Sequence, residues 1–218
     1  MKINRLILYT AQLEEQTNFY KDVLGFKLTE KTADHSSFKV GSSILSFYFR
    51  ESSTPYHFAF NIPSNQINEA LAWLKKRVEI LKDEDKGNEI QNFDFWNAKA
   101  VYFYDKDQNI VEFIARKNLA IESNTPFRAE SLLCISEIGV AVNNIERTYH
   151  HLNQVKKLPI YSGDLDVFCA AGDENGLFII VNKEKKKWFP TDDVAHSSYF
   201  RVEGDYNIEF TNGKINKI

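Results

Sequence analysis

Residues 98–116, AKAVYFYDKDQNIVEFIAR, decide the fold of this chain. β-Branched and aromatic residues dominate 101–104 and 110–114, while the polar residues 105–109 between them are turn formers. The pattern predicts two strands joined by a tight turn. Glu112 lies in the middle of the apolar second strand, where an uncompensated carboxylate costs free energy. We therefore expect Glu112 to meet a metal, a cation or a ligand.

Composition narrows the class of protein. The 218 residues are 43% hydrophobic and 26% charged, with 17 Phe and 10 Tyr, which suits an aromatic-rich β structure. A net charge of −3 argues against nucleic acid as a partner. The two cysteines, Cys134 and Cys169, are expected to be reduced thiols in a cytoplasmic protein. No apolar run approaches membrane-spanning length, so we expect no membrane partner.

Strand and helix patterns recur along the first half of the chain. Residues 3–10 alternate as a strand, and helical spacing then runs from Leu13 to Leu24, with Gly25 placed to end the helix. Further strands are predicted at 26–30, 37–40 and 44–50. A second strand–helix–strands series begins at 57–62, with Ser64 as the helix cap, and ends near Arg116. Two β-α-β-β-β units of similar length indicate an internal repeat.

The second half continues the pattern less completely. Residues 117–130 are predicted to be a linker, followed by a strand at 132–142 and a helix capped by Asn143 or Asn144. The tail has room for a hairpin at 196–202 and 206–211, which we interpret as an abbreviated fourth unit. The predicted fold class is α+β. The predicted divisions are a two-unit domain at 1–116, the linker, and a third unit with a partial fourth at 131–218.

Three segments carry a resemblance to a known family: FYKDVLGF at 19–26, YHFAF at 56–60 and YDKDQNIVEF at 104–113. Together with the repeated units they resemble the vicinal oxygen chelate superfamily, which includes glyoxalases, bleomycin-resistance proteins and extradiol dioxygenases. The resemblance implies that paired units curl into an open, cupped, barrel-like sheet that binds a small molecule, often at a divalent metal. It also leaves open whether the part of the chain after the linker packs on the first domain or makes the contacts of a homodimer.

The resemblance implies four candidate metal positions per pair of units, on the first and last strands of each. They fall on Arg5, near Ser46, on His57 and on Glu112. A guanidinium stays protonated and has no free electron pair to donate to a metal, so Arg5 cannot ligate a cation. Alternation places Arg5, His57 and Glu112 on faces that can line one cup. Arg5 would then neutralise Glu112 in place of a metal and orient an anionic or carbonyl-bearing ligand.

Three hypotheses follow for function. The first is a superfamily protein that binds a small molecule, either metal-free or weakly metal-binding. The second is a lyase, isomerase or extradiol-type dioxygenase that uses His57 and Glu112 as ligands to Fe, Mn, Ni or Zn, with Glu112 catalytic. The third is a non-catalytic interaction protein with a filled cup. The predicted ligand-binding residues are Arg5, Tyr9, Ser46, Tyr48, Asn61, Trp96 and Tyr102.

A second site is suggested by Glu137, His196 and Glu209, because Glu137 occupies the position in its unit that matches Arg5 in the first. Counting along the tail, however, puts His196 one residue out of register with His57. Since a slip of one residue turns a side chain to the other face of a sheet, we do not predict a site there.

Overall fold

Strands dominate the structure, a computed structural model that describes residues 1–83 and 87–218. Fifteen strands and three α-helices lie in these residues. The helices are α1 (Leu13–Asn18), α2 (Ile67–Leu74) and α3 (Ile145–Val155). The strands are β1 (Ile3–Thr10), β2 (Lys27–Lys31), β3 (His35–Val40), β4 (Ser43–Phe49), β5 (His57–Ile62), β6 (Gln91–Phe93), β7 (Ala98–Tyr104), β8 (Ile110–Arg116), β9 (Cys134–Val142), β10 (Ile160–Gly163), β11 (Phe168–Asp173), β12 (Gly176–Asn182), β13 (Phe200–Gly204), β14 (Ile208–Thr211) and β15 (Lys214–Lys217).

The predicted β-α-β-β-β units are confirmed. In each of the first three units the first strand pairs in parallel with the last, as β1 with β4, β5 with β8 and β9 with β12. Antiparallel hairpins fill the rest of each unit, including the β7–β8 hairpin expected at residues 98–116. The fourth unit is abbreviated to the antiparallel strands β13, β14 and β15. All strands join one large open sheet.

The units pair in an order that differs from our expectation of one cup built by the first two. The second unit pairs with the third, because β5 runs antiparallel to β9 with Ala59 opposite Glu137. The first unit pairs with the fourth through β1 and β13, with Ile7 opposite Arg201. A single bridge, Ile3 to Ile135, links β1 to β9. The divisions at 1–116, 117–130 and 131–218 remain a prediction.

Local signals place the helices. Gly25 adopts φ 66°, a left-handed conformation that favours glycine, after a π-helical turn at Phe19–Val23 that continues α1. Asn144 caps α3 by accepting a hydrogen bond from the backbone of Arg147 at 2.8 Å. The expected cap at Ser64 is wrong: α2 begins at Ile67, and the Ser64 hydroxyl donates to the Ile121 carbonyl instead.

Two apolar clusters occupy opposite sides of the sheet. The larger one packs the outward face against the helices and contains most of the phenylalanines, such as Phe58, Phe60 and Phe113. The smaller one lies on the other face of the second and third units and is rich in small side chains, among them Ala59, Ala100 and Ala170. Because small residues leave space above the sheet, this face forms the cup described below. In the described residues no helix is long and apolar enough to cross a bilayer.

Candidate metal centre

Three ionisable side chains meet on the cup face of the second and third units. His57 begins β5, Glu112 lies in the middle of β8 and Glu137 lies in β9. Ala59 pairs with both glutamates in the sheet, with Glu112 on one side and Glu137 on the other. The small methyl group of Ala59 leaves room between the two carboxyl groups. The His57 Nε2 atom lies 3.6 Å from Glu112 Oε2 and 3.9 Å from Glu137 Oε2. One donor atom from each residue falls within 4.8 Å of the others, so one ion can reach all three.

The histidine is oriented for ligation through Nε2. Its Nδ1 atom lies 3.2 Å from the Ile110 carbonyl oxygen, which can only accept a hydrogen bond. When the ring is neutral, Nδ1 therefore carries the proton and the lone pair is on Nε2, facing the glutamates. A backbone carbonyl that fixes the ring in this way is the usual second partner of a metal-ligating histidine.

Burial controls the charge of Glu112. The side chains of Glu112 and Glu137 are only 3% and 2% exposed. Burial, followed by repulsion from Glu137, raises the pKa of Glu112 well above its usual range, while Arg116 and a hydrogen bond from Tyr102 oppose the shift. Burial and the neighbouring Glu112 likewise raise the pKa of Tyr102, so its hydroxyl keeps its proton.

Arg116 fixes the second glutamate. Its Nη2 atom donates a hydrogen bond to Glu137 Oε1, and its Nε atom donates to Asn61 Oδ1 at 3.2 Å. The Asn61 amide in turn donates to the Glu174 carbonyl at 2.9 Å. The ring of Trp96 covers the guanidinium at 5.4 Å. Asn61, predicted to bind ligand, thus holds Arg116 in place and does not line the cavity.

An aromatic cavity of about 500 Å³ opens above the three donors. Trp188 packs at 5.1 Å from the His57 ring, and Phe189 meets Tyr102 edge-on at 5.6 Å. Gly139 makes this arrangement possible, because a Cβ atom there would lie 2.8 Å from the Trp188 indole. The aromatic residues lining the cavity are Phe93, Phe95, Trp96, Tyr102, Phe168, Trp188 and Phe189.

Four predicted ligand-binding residues lie elsewhere, on the first unit. Arg5 approaches Glu30 at 4.0 Å, and the Ser46 hydroxyl bonds Ser37 at 2.9 Å. Tyr9 packs against Tyr199, with ring centroids 4.4 Å apart, and Tyr48 stacks on His35 at 4.6 Å. Of the predicted site residues, His57, Trp96, Tyr102 and Glu112 line the cavity.

The expected pairing of Arg5 with Glu112 is therefore not found. Within 1–83 and 87–218, His57 is the only basic side chain with a nitrogen within 4.0 Å of the Glu112 carboxylate. The reason is the order in which the units pair: β1 joins β13, so Arg5 faces the fourth unit, while β5 joins β9. The counterpart that β9 supplies to His57 and Glu112 is Glu137.

The family resemblance implies four metal positions in a cup, and the fourth one here is occupied by an apolar residue. In the second unit Glu112 lies two residues beyond the β8 partner of His57, which is Ile110. In the third unit Leu177 is the β12 partner of Glu137, so two residues further is Ile179. Ile179 lines the cavity and offers no donor atom. Among the residues that the structure describes, the cup therefore presents three ligands and not four.

These residues fit a divalent cation. Two buried carboxyl groups and an imidazole nitrogen face one another, and the Arg116 guanidinium donates a hydrogen bond to Glu137. Burying a second carboxylate without a counter-charge is costly, and a divalent ion would remove the cost that now raises the Glu112 pKa. Imidazole nitrogen and carboxylate oxygen suit iron, manganese, nickel or zinc.

Sequence similarity points to the same family as the geometry. The family model for the Glyoxalase/Bleomycin resistance protein/Dioxygenase superfamily matches residues 2–113. The chain belongs to this superfamily. Proteins of the superfamily bind small molecules, and the fold and cup of this glyoxalase-superfamily protein agree with that role. No match to a curated protein is found.

Solved structures share the fold at low identity. The chain superposes on a putative dioxygenase from Bacillus subtilis subsp. subtilis str. 168 with a TM-score of 0.59 and 18% identity, covering 83% of this chain and 63% of that one. Glyoxalase I from Zea mays gives a TM-score of 0.53 and 14% identity, covering 82% and 66%. This protein thus spans less than two thirds of the length of either relative. At such identities the similarity concerns the fold alone.

Two parts of the site were missed from the sequence. Glu137 is grouped in the sequence analysis with His196 and Glu209, at the position of its unit that matches Arg5, and no local pattern predicts that its strand pairs with β5. The sequence predicts Arg116 only as the end of the second unit. Its burial, at 1% exposure, shows otherwise.

Proposed function

We propose that this glyoxalase-superfamily protein is a metal-dependent enzyme that binds a divalent ion through His57, Glu112 and Glu137. A small oxygen-bearing molecule would bind beside the ion. The observation that carries the proposal is the meeting of three donor atoms within 4.8 Å of one another beneath the aromatic cavity. Iron or manganese suits a set with two carboxylates and one imidazole best.

The number of ligands favours dioxygenase-type chemistry. With Ile179 at the fourth position, three protein ligands would leave adjacent coordination positions open toward the cavity. Open positions on a three-ligand centre are typical of non-haem iron oxygenases, whose usual set is two histidines and one carboxylate, and this site has a second glutamate in place of one histidine. The similarity to a putative dioxygenase from Bacillus subtilis is consistent with this choice, although it concerns only the fold.

The chain's own residues have distinct roles in this proposal. The ion would polarise a substrate oxygen as a Lewis acid. Tyr102, whose pKa is raised, would hold a proton near that oxygen, and the Glu112 oxygen that does not hold the ion would accept a proton from a substrate hydroxyl as it binds. Trp188 and Phe189 would limit the access of water to the reacting atoms. Arg116 would keep Glu137 in place.

Metal content tests the proposal. The protein is purified without chelator, loaded with Fe(II) or Mn(II), and analysed by elemental mass spectrometry beside His57→Ala and Glu137→Gln. We expect about one ion per chain in the wild type and at least a tenfold loss of affinity in both variants. His150→Ala is the matched control, because His150 lies on α3 with 59% of its side chain exposed. Equal metal content in all four proteins would refute the site.

Oxygen uptake then separates the reaction classes. A dioxygenase loaded with iron consumes oxygen in proportion to the substrate converted. A lyase or isomerase converts its substrate without consuming oxygen. Catechols and thiol conjugates are the compounds to compare. Conversion that continues unchanged under anaerobic conditions would favour the lyase or isomerase alternative. The filled-cup alternative is less favoured, because about 500 Å³ of the cup is not occupied by side chains.

A further inference from the structure

One wall of the cup carries a lysine among aromatic rings. Lys186 lines the cavity, and its Nζ atom lies over the Phe168 ring at 5.7 Å from the centroid. Phe168 stacks in turn on Trp96 at 6.3 Å. The apolar stem of a lysine packs well against such rings while its ammonium group stays free to bind an anion.

The backbone around Lys186 is held in place from both sides. On the N-terminal side, the backbone amide of Lys186 donates a hydrogen bond to the carbonyl of Asn182, the last residue of β12, at 2.9 Å. After it, the Trp188 amide donates to the Asp193 carbonyl at 2.8 Å, and the Tyr104 hydroxyl donates to the Asp193 carboxylate at 2.6 Å. The segment that carries Lys186 is therefore tied to the second unit as well as to the third.

Lys186 has no acidic partner in the described part of the chain. Its neighbour Lys185 forms an ion pair with Asp166, but no carboxylate oxygen comes within 4.0 Å of the Lys186 ammonium group. Asp94 also lines the cavity, yet it is exposed to solvent. An unpaired ammonium group beside an aromatic cavity is available to a ligand.

We propose that the cup accepts an aromatic ligand that carries a carboxylate or similar oxyanion, and that Lys186 binds this group. The aromatic rings of Trp96, Phe168 and Trp188 would pack against the ligand ring. The ligand's anionic substituent would face Lys186, while its other oxygens would face His57 and the two glutamates. This inference rests on the proposed function, to which it adds a substrate class and a specificity-determining residue.

A matched pair of probes tests the inference. Binding of 3,4-dihydroxybenzoate and of its methyl ester, which differ in charge but hardly in shape, is measured by titration calorimetry on protein loaded with redox-inert Zn(II). A charge-assisted hydrogen bond in a partly buried site is worth roughly a tenfold change in affinity or more. We expect the wild type to prefer the acid by about that factor. Lys186→Gln should lose the preference without weakening the ester, and Lys186→Glu should reverse it.

Lys187→Gln is the control, since Lys187 is exposed in the same run of lysines and lies outside the cavity. It removes the same charge, so an effect of net charge alone would appear equally in both variants. A preference that is missing from the wild type, or that survives in Lys186→Gln, would overturn the inference. Failure of both probes to bind would overturn it too. A protein that binds no metal but still prefers the acid would refute the metal proposal alone.

Discussion

Single residues decide how the buried charges of the cup are tolerated. Arg116 has its guanidinium bonded to Glu137 and Asn61, and 1% of the residue is exposed. Arg116→Met leaves Glu137 buried without its cation, so we expect the free energy of unfolding to fall by about 3–5 kcal/mol. Urea denaturation of the metal-free protein measures this loss.

Two further variants qualify that result. Arg128→Met, at an exposed position, should change the free energy of unfolding by no more than about 0.5 kcal/mol. The double variant Arg116→Met/Glu137→Leu should recover much of the loss, because the buried Glu137 carboxylate is removed together with its cation, and only the partly exposed Glu174 loses an ion-pair partner. A double variant as unstable as Arg116→Met would contradict the assignment of the cost to Glu137.

Asp105, in the turn of the β7–β8 hairpin, gives a pH-dependent prediction. It accepts hydrogen bonds from Gln16, Tyr20 and Asn109, and burial raises its pKa to about 6. An unfolded aspartate titrates near pH 3.9, so between about pH 4 and 6 the folded state holds a proton that the unfolded state releases. Asp105 therefore makes the folded state less stable as pH rises through this window, by up to about 3 kcal/mol.

The measurement compares wild type with Asp105→Asn from pH 4 to 7. The amide does not titrate, so the stability of the wild type relative to the variant should fall as pH rises and become constant above about pH 6. Asp22→Asn, at a side chain with 57% exposure, should show no such trend. A difference between wild type and Asp105→Asn that is the same at every pH would show that Asp105 is not responsible.

Secondary-structure elements were the most predictable level of the molecule. The hairpin at β7 and β8 follows from alternating strand formers around a run of turn formers, all of them local signals. The boundaries of α2 were less predictable, because the cap depends on how the preceding loop bonds to residue 121. Glu137 shows the limit for the site: its strand was identified, but the neighbour of that strand is a long-range property.

Gly139 on β9 tests how closely the segment after β12 packs into the cup. A methyl group at this position would meet the Trp188 indole at 2.8 Å, so Gly139→Ala should displace the ring and lower the free energy of unfolding by about 1–3 kcal/mol. Tryptophan fluorescence should shift to the red as the indole is exposed.

The same substitution in a Trp188→Leu background supplies the control. With the indole removed there is less to displace, and Gly139→Ala should then cost about 0.5 kcal/mol or less. Equal costs in the two backgrounds would place the conflict with the His57 carbonyl, which lies 3.2 Å from the same methyl position.

At the scale of the whole molecule, the order of pairing among the units was the part that sequence could not supply. Every unit presents its first strand as an edge, and the patterns of β1, β5 and β9 are alike enough to join in several ways. The structure pairs the second unit with the third and the first with the fourth. This choice sends Glu137 to His57 and Glu112, and it separates them from Arg5 and Ser46.

The two pairs of units consequently differ in chemistry at equivalent positions. By register, the positions of His57, Glu112 and Glu137 correspond to Arg5, Ser46 and Arg201 in the first and fourth units. Two guanidinium groups and a hydroxyl do not form a divalent-metal site. We therefore expect one ion per chain, bound in the cup of the second and third units.

Stoichiometry and thermal stability measured together test this division. With free metal at a hundredfold excess over its dissociation constant, binding should stabilise the wild type by about 2.7 kcal/mol, which raises the Tm of a chain of this length by roughly 5–10 °C. His57→Ala should show neither the ion nor the shift, whereas Ser46→Ala should keep both, because Ser46 bonds Ser37 on the other pair of units. Two ions per chain, or a shift that disappears in Ser46→Ala, would mean that the first and fourth units also hold a metal.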